Sequence, residues 1–87
     1  MSKPIHIVIV EDDPVVLDGL VSFFQVHPRA EIIKTFVSAE LFLDWIEKGE
    51  DTQFVLLLDI QLPGKTGVEA LPYIKKLLPN LDVIILT

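Results

Sequence analysis

Eighty-seven residues and 9.8 kDa suffice for one domain and no more. A hydrophobic fraction of 51% and a mean hydropathy of +0.52 exclude intrinsic disorder, which needs low hydrophobicity and high net charge. A net charge of −6, from 13 acidic against 7 basic residues, argues against direct nucleic-acid binding by this segment, and the absence of cysteine excludes a disulfide framework or a thiolate metal site. The longest apolar runs, Ile7 to Val10 and Phe54 to Leu58, are far below the ~20 residues that cross a bilayer. One lysine before a short apolar stretch that runs into acids is not a secretory signal. The expectation is a soluble, cytoplasmic protein without membrane contact.

In chain order, Ile5 to Val10 is almost wholly apolar and β-branched, and predicts a strand buried on both faces. Pro14 to Gln25 follows as a helix, with Val16, Leu20, Phe23 and Phe24 at the spacing of one face; Asp13 before Pro14 combines a capping acid with proline at the first helical position. Ala30 to Val37 is a second, weaker strand. Ser38 to Lys48 is a helix with Phe42, Leu43 and Ile46 inward, Ser38 as its cap and Gly49 at its end. Trp45 is expected to pack on or beside that stripe. Phe54 to Leu58 is the third strand. A third helix spans about Thr66 to Leu78, with Leu71, Ile74 and Leu78 on one face and Thr66 to Glu69 in the form of a capping box. Pro72 inside it predicts a kink or a later start. Val83 to Leu86 is the fourth strand.

The order βαβαβαβ implies α/β architecture: a doubly wound parallel sheet with helices on both faces. Ligands of such sheets sit beyond the carboxyl ends of the strands. There, Val10 is followed by Glu11, Asp12 and Asp13, Leu58 by Asp59, and Leu86 by Thr87. Two adjacent central strands, the first and third, thus deliver a cluster of carboxylates to one edge. Like charges packed together need a proton or cation between them. Hard oxygen ligands in small number suit Mg²⁺, and an aspartate can serve as covalent phosphate carrier.

Each residue also has a plainer reading. Asp13 is foremost a helix cap. Glu11 or Asp12 alone would be a solvated loop acid, and Thr87 an ordinary strand residue. Asp59 resists such a reading, because a charge closing a five-residue apolar strand needs a reason. His6 and His27 read as structural. Gly64-Lys65-Thr66 resembles the end of a phosphate-binding P-loop, but the motif's first glycine would fall at Asp59. No Gly-x-Gly-x-x-Gly supports a dinucleotide site, and a haloacid-dehalogenase-type phosphatase would want aspartate where Gln61 stands.

Three segments together carry a family resemblance: Ile7 to Pro14 (IVIVEDDP), Leu57 to Gly67 (LLDIQLPGKTG) and Val83 to Thr87 (VIILT). They resemble, in the right order and across the whole chain, the response-regulator receiver domain of bacterial two-component systems, which has a flavodoxin-like fold. The resemblance implies that Asp59 is the phosphoacceptor, phosphorylated by a sensor histidine kinase. Glu11 and Asp12 would be the acidic pair that holds Mg²⁺, Asp12 the more direct ligand, with the Gln61 carbonyl as a third protein ligand beside Asp59. Pro63 and Gly67 would shape the turn after the acceptor, and the Thr87 hydroxyl would contact the phosphoryl group and move on activation. Such a domain is a signalling switch, not an enzyme acting on a diffusible substrate. Its output here would be transcriptional, through a helix-turn-helix module elsewhere in a longer protein.

The chain departs from the family pattern in one respect. Members have five strands and five helices; residues 1–87 match the portion through the fourth strand. The lysine and aromatic residue of the fifth strand have no counterpart, and Lys65, Lys75 and Lys76 do not fill the lysine's place. The expectation is a fragment or a chain whose remainder is missing, with the fourth strand as an apolar edge prone to self-association. Two alternatives stay open: a pseudo-receiver acting as a phosphate-independent docking module, and a Mg²⁺-dependent phosphohydrolase.

Overall fold

The computed structural model describes residues 3–49, 53–62, 64 and 66–86. The elements are β1 (Ile5–Val10), α1 (Pro14–Gln25), β2 (Ala30–Phe36), α2 (Ala39–Glu47), β3 (Val55–Asp59), α3 (Gly67–Leu77) and β4 (Asp82–Leu86). The strands form one parallel sheet in the order β2-β1-β3-β4. The chain steps from β1 to one side for β2, then crosses to the other side for β3. The order therefore reverses between β1 and β3, and that reversal opens a crevice at their carboxyl ends.

The central strands are apolar throughout because both faces are covered. Val8, Ile9 and Val10 of β1 and Leu56 and Leu58 of β3 are fully buried. Their side chains alternate between two cores. Val8, Val10, Leu56 and Leu58 pack with Phe42 and Ile46 of α2 and Ala70 and Ile74 of α3. Ile7, Ile9 and Leu57 face the other way, toward Leu17, Leu20 and Phe24 of α1. Phe42 anchors the first core, with Phe36, Trp45 and Phe54 ringed around it at centroid separations of 5.7–6.1 Å. Trp45 thus sits beside the buried stripe, as expected. Burying Phe42 contributes roughly 2–3 kcal/mol relative to leaving it in water.

Several local expectations shift. β3 runs one residue later than expected, because the β4 ladder pairs Asp59 with Leu86; Phe54 stays buried just before the strand. The packed stripe of α1 is Leu17, Leu20 and Phe24 rather than Val16 and Phe23, which are half exposed. Phe23 instead stacks on His27 at 4.3 Å. In α3, Ala70 and Ile74 are the buried residues, while Leu71 and Leu78 pack at the margin. The helix begins at Gly67, as the capping box predicts, and continues through Pro72. Thr66 Oγ1 accepts from the Glu69 N–H at 3.1 Å and donates to Glu69 Oε1 at 3.0 Å. Lys75 and Lys76 sit in the last turn, where cations favour the helix dipole. Gly49 takes φ +84 after α2, the left-handed turn that glycine permits.

On the α1 side the sheet is less covered at its β4 edge. Ile84 of the β4 edge is 53% exposed, and α1 contributes no fully buried residue. Among the described residues no helix is long and apolar enough to cross a membrane.

Candidate functional site

Register places the site. Val10 pairs with Leu58 across β1 and β3, so the residues that follow them emerge side by side at the crevice. Glu11 extends the β1–β2 ladder by donating its N–H to the Phe36 carbonyl at 2.9 Å. Ile60 does the same on the far side, donating to the Leu86 carbonyl at 3.2 Å. Both chain exits are therefore pinned before they turn away.

Three carboxylates meet at this point. Glu11, Asp12 and Asp59 each offer an oxygen, and these oxygens lie within 4.8 Å of one another. Glu11 is 4% exposed, Asp59 is half buried and Asp12 is open to solvent. The cluster lines a cleft of about 660 Å³, with Asp13 and Gln61 beside it and Val16, Leu20, Ile85 and Leu86 as its apolar wall. A slightly larger hollow of about 720 Å³ lies between α1 and β2; Glu31 is its one carboxylate among Phe24, His27, Pro28 and Ile33.

Backbone amides orient the acids. The Asp13 N–H donates to Glu11 Oε2 at 3.1 Å, while Asp13 Oδ1 accepts from the Val15 N–H at 2.9 Å. Asp13 is thus the predicted cap of α1, and its backbone also holds Glu11 in place. The Gln61 N–H donates to Asp59 Oδ1 at 3.1 Å, which turns the Asp59 side chain back over its own loop. Gly67 closes that loop. Its N–H donates to the Ile60 carbonyl at 3.3 Å, and a Cβ there would lie 2.1 Å from the Asp59 carbonyl oxygen. Of the remaining candidates, Pro63 and Thr87 lie outside the described residues, as does Lys65. His6 lies 3.9 Å from Glu31 across β1 and β2, and neither histidine belongs to the carboxylate cluster.

Burial pushes the Glu11 carboxyl above its usual range, and a hydrogen bond with Asp59 and the charges of Asp59 and Asp12 push the same way; the Asp13 N–H opposes them. Between its ordinary and its raised value, Glu11 thus keeps a proton in the folded chain that the unfolded chain releases. Without metal, this group's contribution to stability is greatest below about pH 4.5, its ordinary value, and declines as pH rises through the raised one. Denaturant melts from acid to neutral pH are expected to show a steeper decline for the wild type than for Glu11→Gln, which has no proton to lose. Parallel curves would contradict this assignment.

Sequence reasoning located the acids but missed the burial of Glu11 and the apolar wall of the cleft. The signal for the wall was available: Val16 and Leu20 follow Asp13 by three and seven residues, on the helix face that overlooks the cap.

The response regulator receiver domain family model matches residues 7–87. The transcriptional regulatory protein LnrK of Bacillus subtilis is 31% identical over 84 residues, which cover 95% of this chain and 37% of LnrK. A protein-glutamate methylesterase/protein-glutamine glutaminase of Paramagnetospirillum magneticum is 37% identical over 70 residues, covering 80% of this chain and 19% of that protein. The non-phosphorylated receiver domain of the stress response regulator RcsB from Escherichia coli superposes with a TM-score of 0.85 at 26% identity, over 98% of this chain and 66% of that one. The chain spans well under half the length of both curated relatives. The parallel α/β sheet, the acidic cluster at its switch point and a match over nearly every residue agree: the chain belongs to the response regulator receiver domains.

Proposed function

We propose that these residues form the phosphoacceptor part of a two-component response regulator, with Asp59 as the residue phosphorylated by a sensor histidine kinase. The observation that carries this reading is the convergence of Glu11, Asp12 and Asp59 within 4.8 Å at the sheet's switch point. The donors are all hard oxygens; burial, with the charges of Asp59 and Asp12, raises the proton affinity of Glu11, and a small divalent cation would offset the charge part of that cost. Asp12 and Asp59, with Glu11 behind them and the Gln61 carbonyl beside them, would hold Mg²⁺. When bound, that ion neutralises charge on the carboxylates and on the incoming phosphoryl oxygens.

The chain's own residues do the rest. The Gln61 N–H holds Oδ1 of Asp59, the Asp13 N–H holds Glu11, and Asp59 lines the open cleft, where one of its oxygens would meet the phosphoryl group. That oxygen forms a bond to phosphorus as the P–N bond of a phosphohistidine breaks; the imidazole leaves with the electron pair and takes up a proton. The product is an acyl phosphate, which places new charge next to the end of β4. The Thr87 hydroxyl would answer that charge and bias the surface beyond it. By likeness to LnrK, the response would be control of transcription through a further part of the protein. The open, apolar β4 edge supports self-association of the 87-residue chain on its own, which light scattering would read as a dimer or larger species.

The test is a small-molecule phosphodonor, acetyl phosphate or phosphoramidate, with the protein at its natural full length. Mass addition of one phosphoryl group, dependent on Mg²⁺ and mapped to Asp59, is the expected result. Incorporation elsewhere, none at all, or steady turnover of a phosphomonoester would overturn the assignment.

A further inference from the structure

Between β3 and α3, the described residues Ile60 to Leu62, Gly64 and Thr66 belong to no helix or strand, yet Gln61 lies against the acceptor. The beginning of this loop is held by the Gln61 N–H on Asp59, and Leu62 is buried in the core. Its end is held by the Thr66 cap and by Gly67 against the Asp59 carbonyl. Its tip, Gly64, takes φ +72, and a Cβ there would lie 2.6 Å from Oε2 of Glu40. The Glu40 carboxylate therefore fills the space over the tip of the acceptor loop. Glu40 comes from a helix packed into the core. It stands in the first turn of α2, next to Ala39 and two residues before Phe42, both fully buried, and Ser38 Oγ caps the helix by accepting from the Leu41 N–H at 3.2 Å.

We propose that Glu40 is a positioning residue for the phosphoacceptor site: it latches the tip of the Asp59 loop to α2 and so keeps Gln61 in register with the acidic cluster. This rests on the reading that the cluster holds Mg²⁺. Glu40 is a positioning residue that acts on the loop carrying Gln61 through its close approach to Gly64. The plainer alternative is that Glu40 only complements the α2 dipole, as an acid in a first turn does. That role would lower stability a little and leave the loop and the metal site untouched.

The two are separated by a double-substitution cycle with Glu40→Ala and Gly64→Ala, read by calorimetric Mg²⁺ titration and, without metal, by amide hydrogen exchange at Gln61 and Gly67. Glu40→Ala is expected to weaken Mg²⁺ binding about tenfold, the low end for groups that support a ligand from behind, and to speed exchange at Gln61 in the metal-free protein. Gly64→Ala should weaken binding in the wild-type background both by displacing the carboxylate and by the strain a side chain meets at φ +72, and less once Glu40 is alanine, when only the strain remains. Unchanged exchange and affinity in Glu40→Ala, faster exchange with unchanged affinity, or independent effects of the two substitutions would each overturn the positioning role. A wild type that binds no Mg²⁺, with exchange still faster in Glu40→Ala, would keep the latch and overturn the reading of the acidic cluster instead.

Discussion

An Asp59→Asn protein is expected to take up no phosphoryl group from a small-molecule donor and yet to resist unfolding better than the wild type when metal is absent. Asparagine is close to aspartate in volume, and its Oδ1 can still accept from the Gln61 N–H, so the loop keeps its shape. Its amide has no nucleophilic carboxylate oxygen, so incorporation should fall to background. At the same time the substitution removes one of the like charges that raise Glu11. Asp12 is exposed and Asp59 half buried, charges of that kind interact by about 1 kcal/mol when close, and relief of their repulsion gives an expected gain of that order in metal-free denaturant melts. Saturating Mg²⁺ should reverse the ranking, since the wild type gains a bound ion and the variant loses part of its ligand set. Residual phosphorylation in the variant would move the acceptor to another residue. A loss of stability without metal would remove the repulsion from the account.

Gly67→Ala is expected to be the most damaging single-methyl addition in the site. The new Cβ would meet a backbone oxygen, that of Asp59, at 2.1 Å, and neither partner is the free end of a flexible side chain. Relief requires moving the end of β3 or the first turn of α3. Moving the first turn disturbs the Gly67 N–H to Ile60 hydrogen bond and the Thr66 cap. Overpacking of this kind costs about 1–3 kcal/mol, and a lost hydrogen bond about 1 kcal/mol more. A total of about 3 kcal/mol should appear in equilibrium unfolding, with slower phosphorylation because Asp59 itself is displaced. Gly19, exposed in α1 with nothing within 4 Å of a built Cβ, is the control: alanine there should be neutral or stabilising. Equal effects at the two glycines would contradict the close approach.

Much of this was legible in the sequence, for identifiable reasons. β1 matched residue for residue because a β-branched, unbroken apolar run has few alternatives to a doubly buried strand. The α1 and α2 boundaries followed from Asp13-Pro14, Ser38 and Gly49, each a local backbone preference that survives in the fold. The packed face of α1 was not legible. Its apolar residues surround most of the helix, and only the position of the sheet decides that Leu17, Leu20 and Phe24 face inward while Val16 and Phe23 do not. The end of β3 depended on β4, since Asp59 joins the ladder only through Leu86. The burial of Glu11 likewise depends on partners distant in sequence, Phe36 and Asp59, and read in isolation it is a loop acid. The contact between Glu40 and Gly64 lies between elements that no short-range pattern relates.

The central claim is that Glu11, Asp12 and Asp59 share one divalent ion. Calorimetric titration of Mg²⁺ into the wild type, Asp12→Asn and Asp59→Asn tests it most directly. The account predicts one ion per chain in the wild type and markedly weaker binding in each variant. Wild-type affinity retained in both variants, or no binding by the wild type, would contradict it.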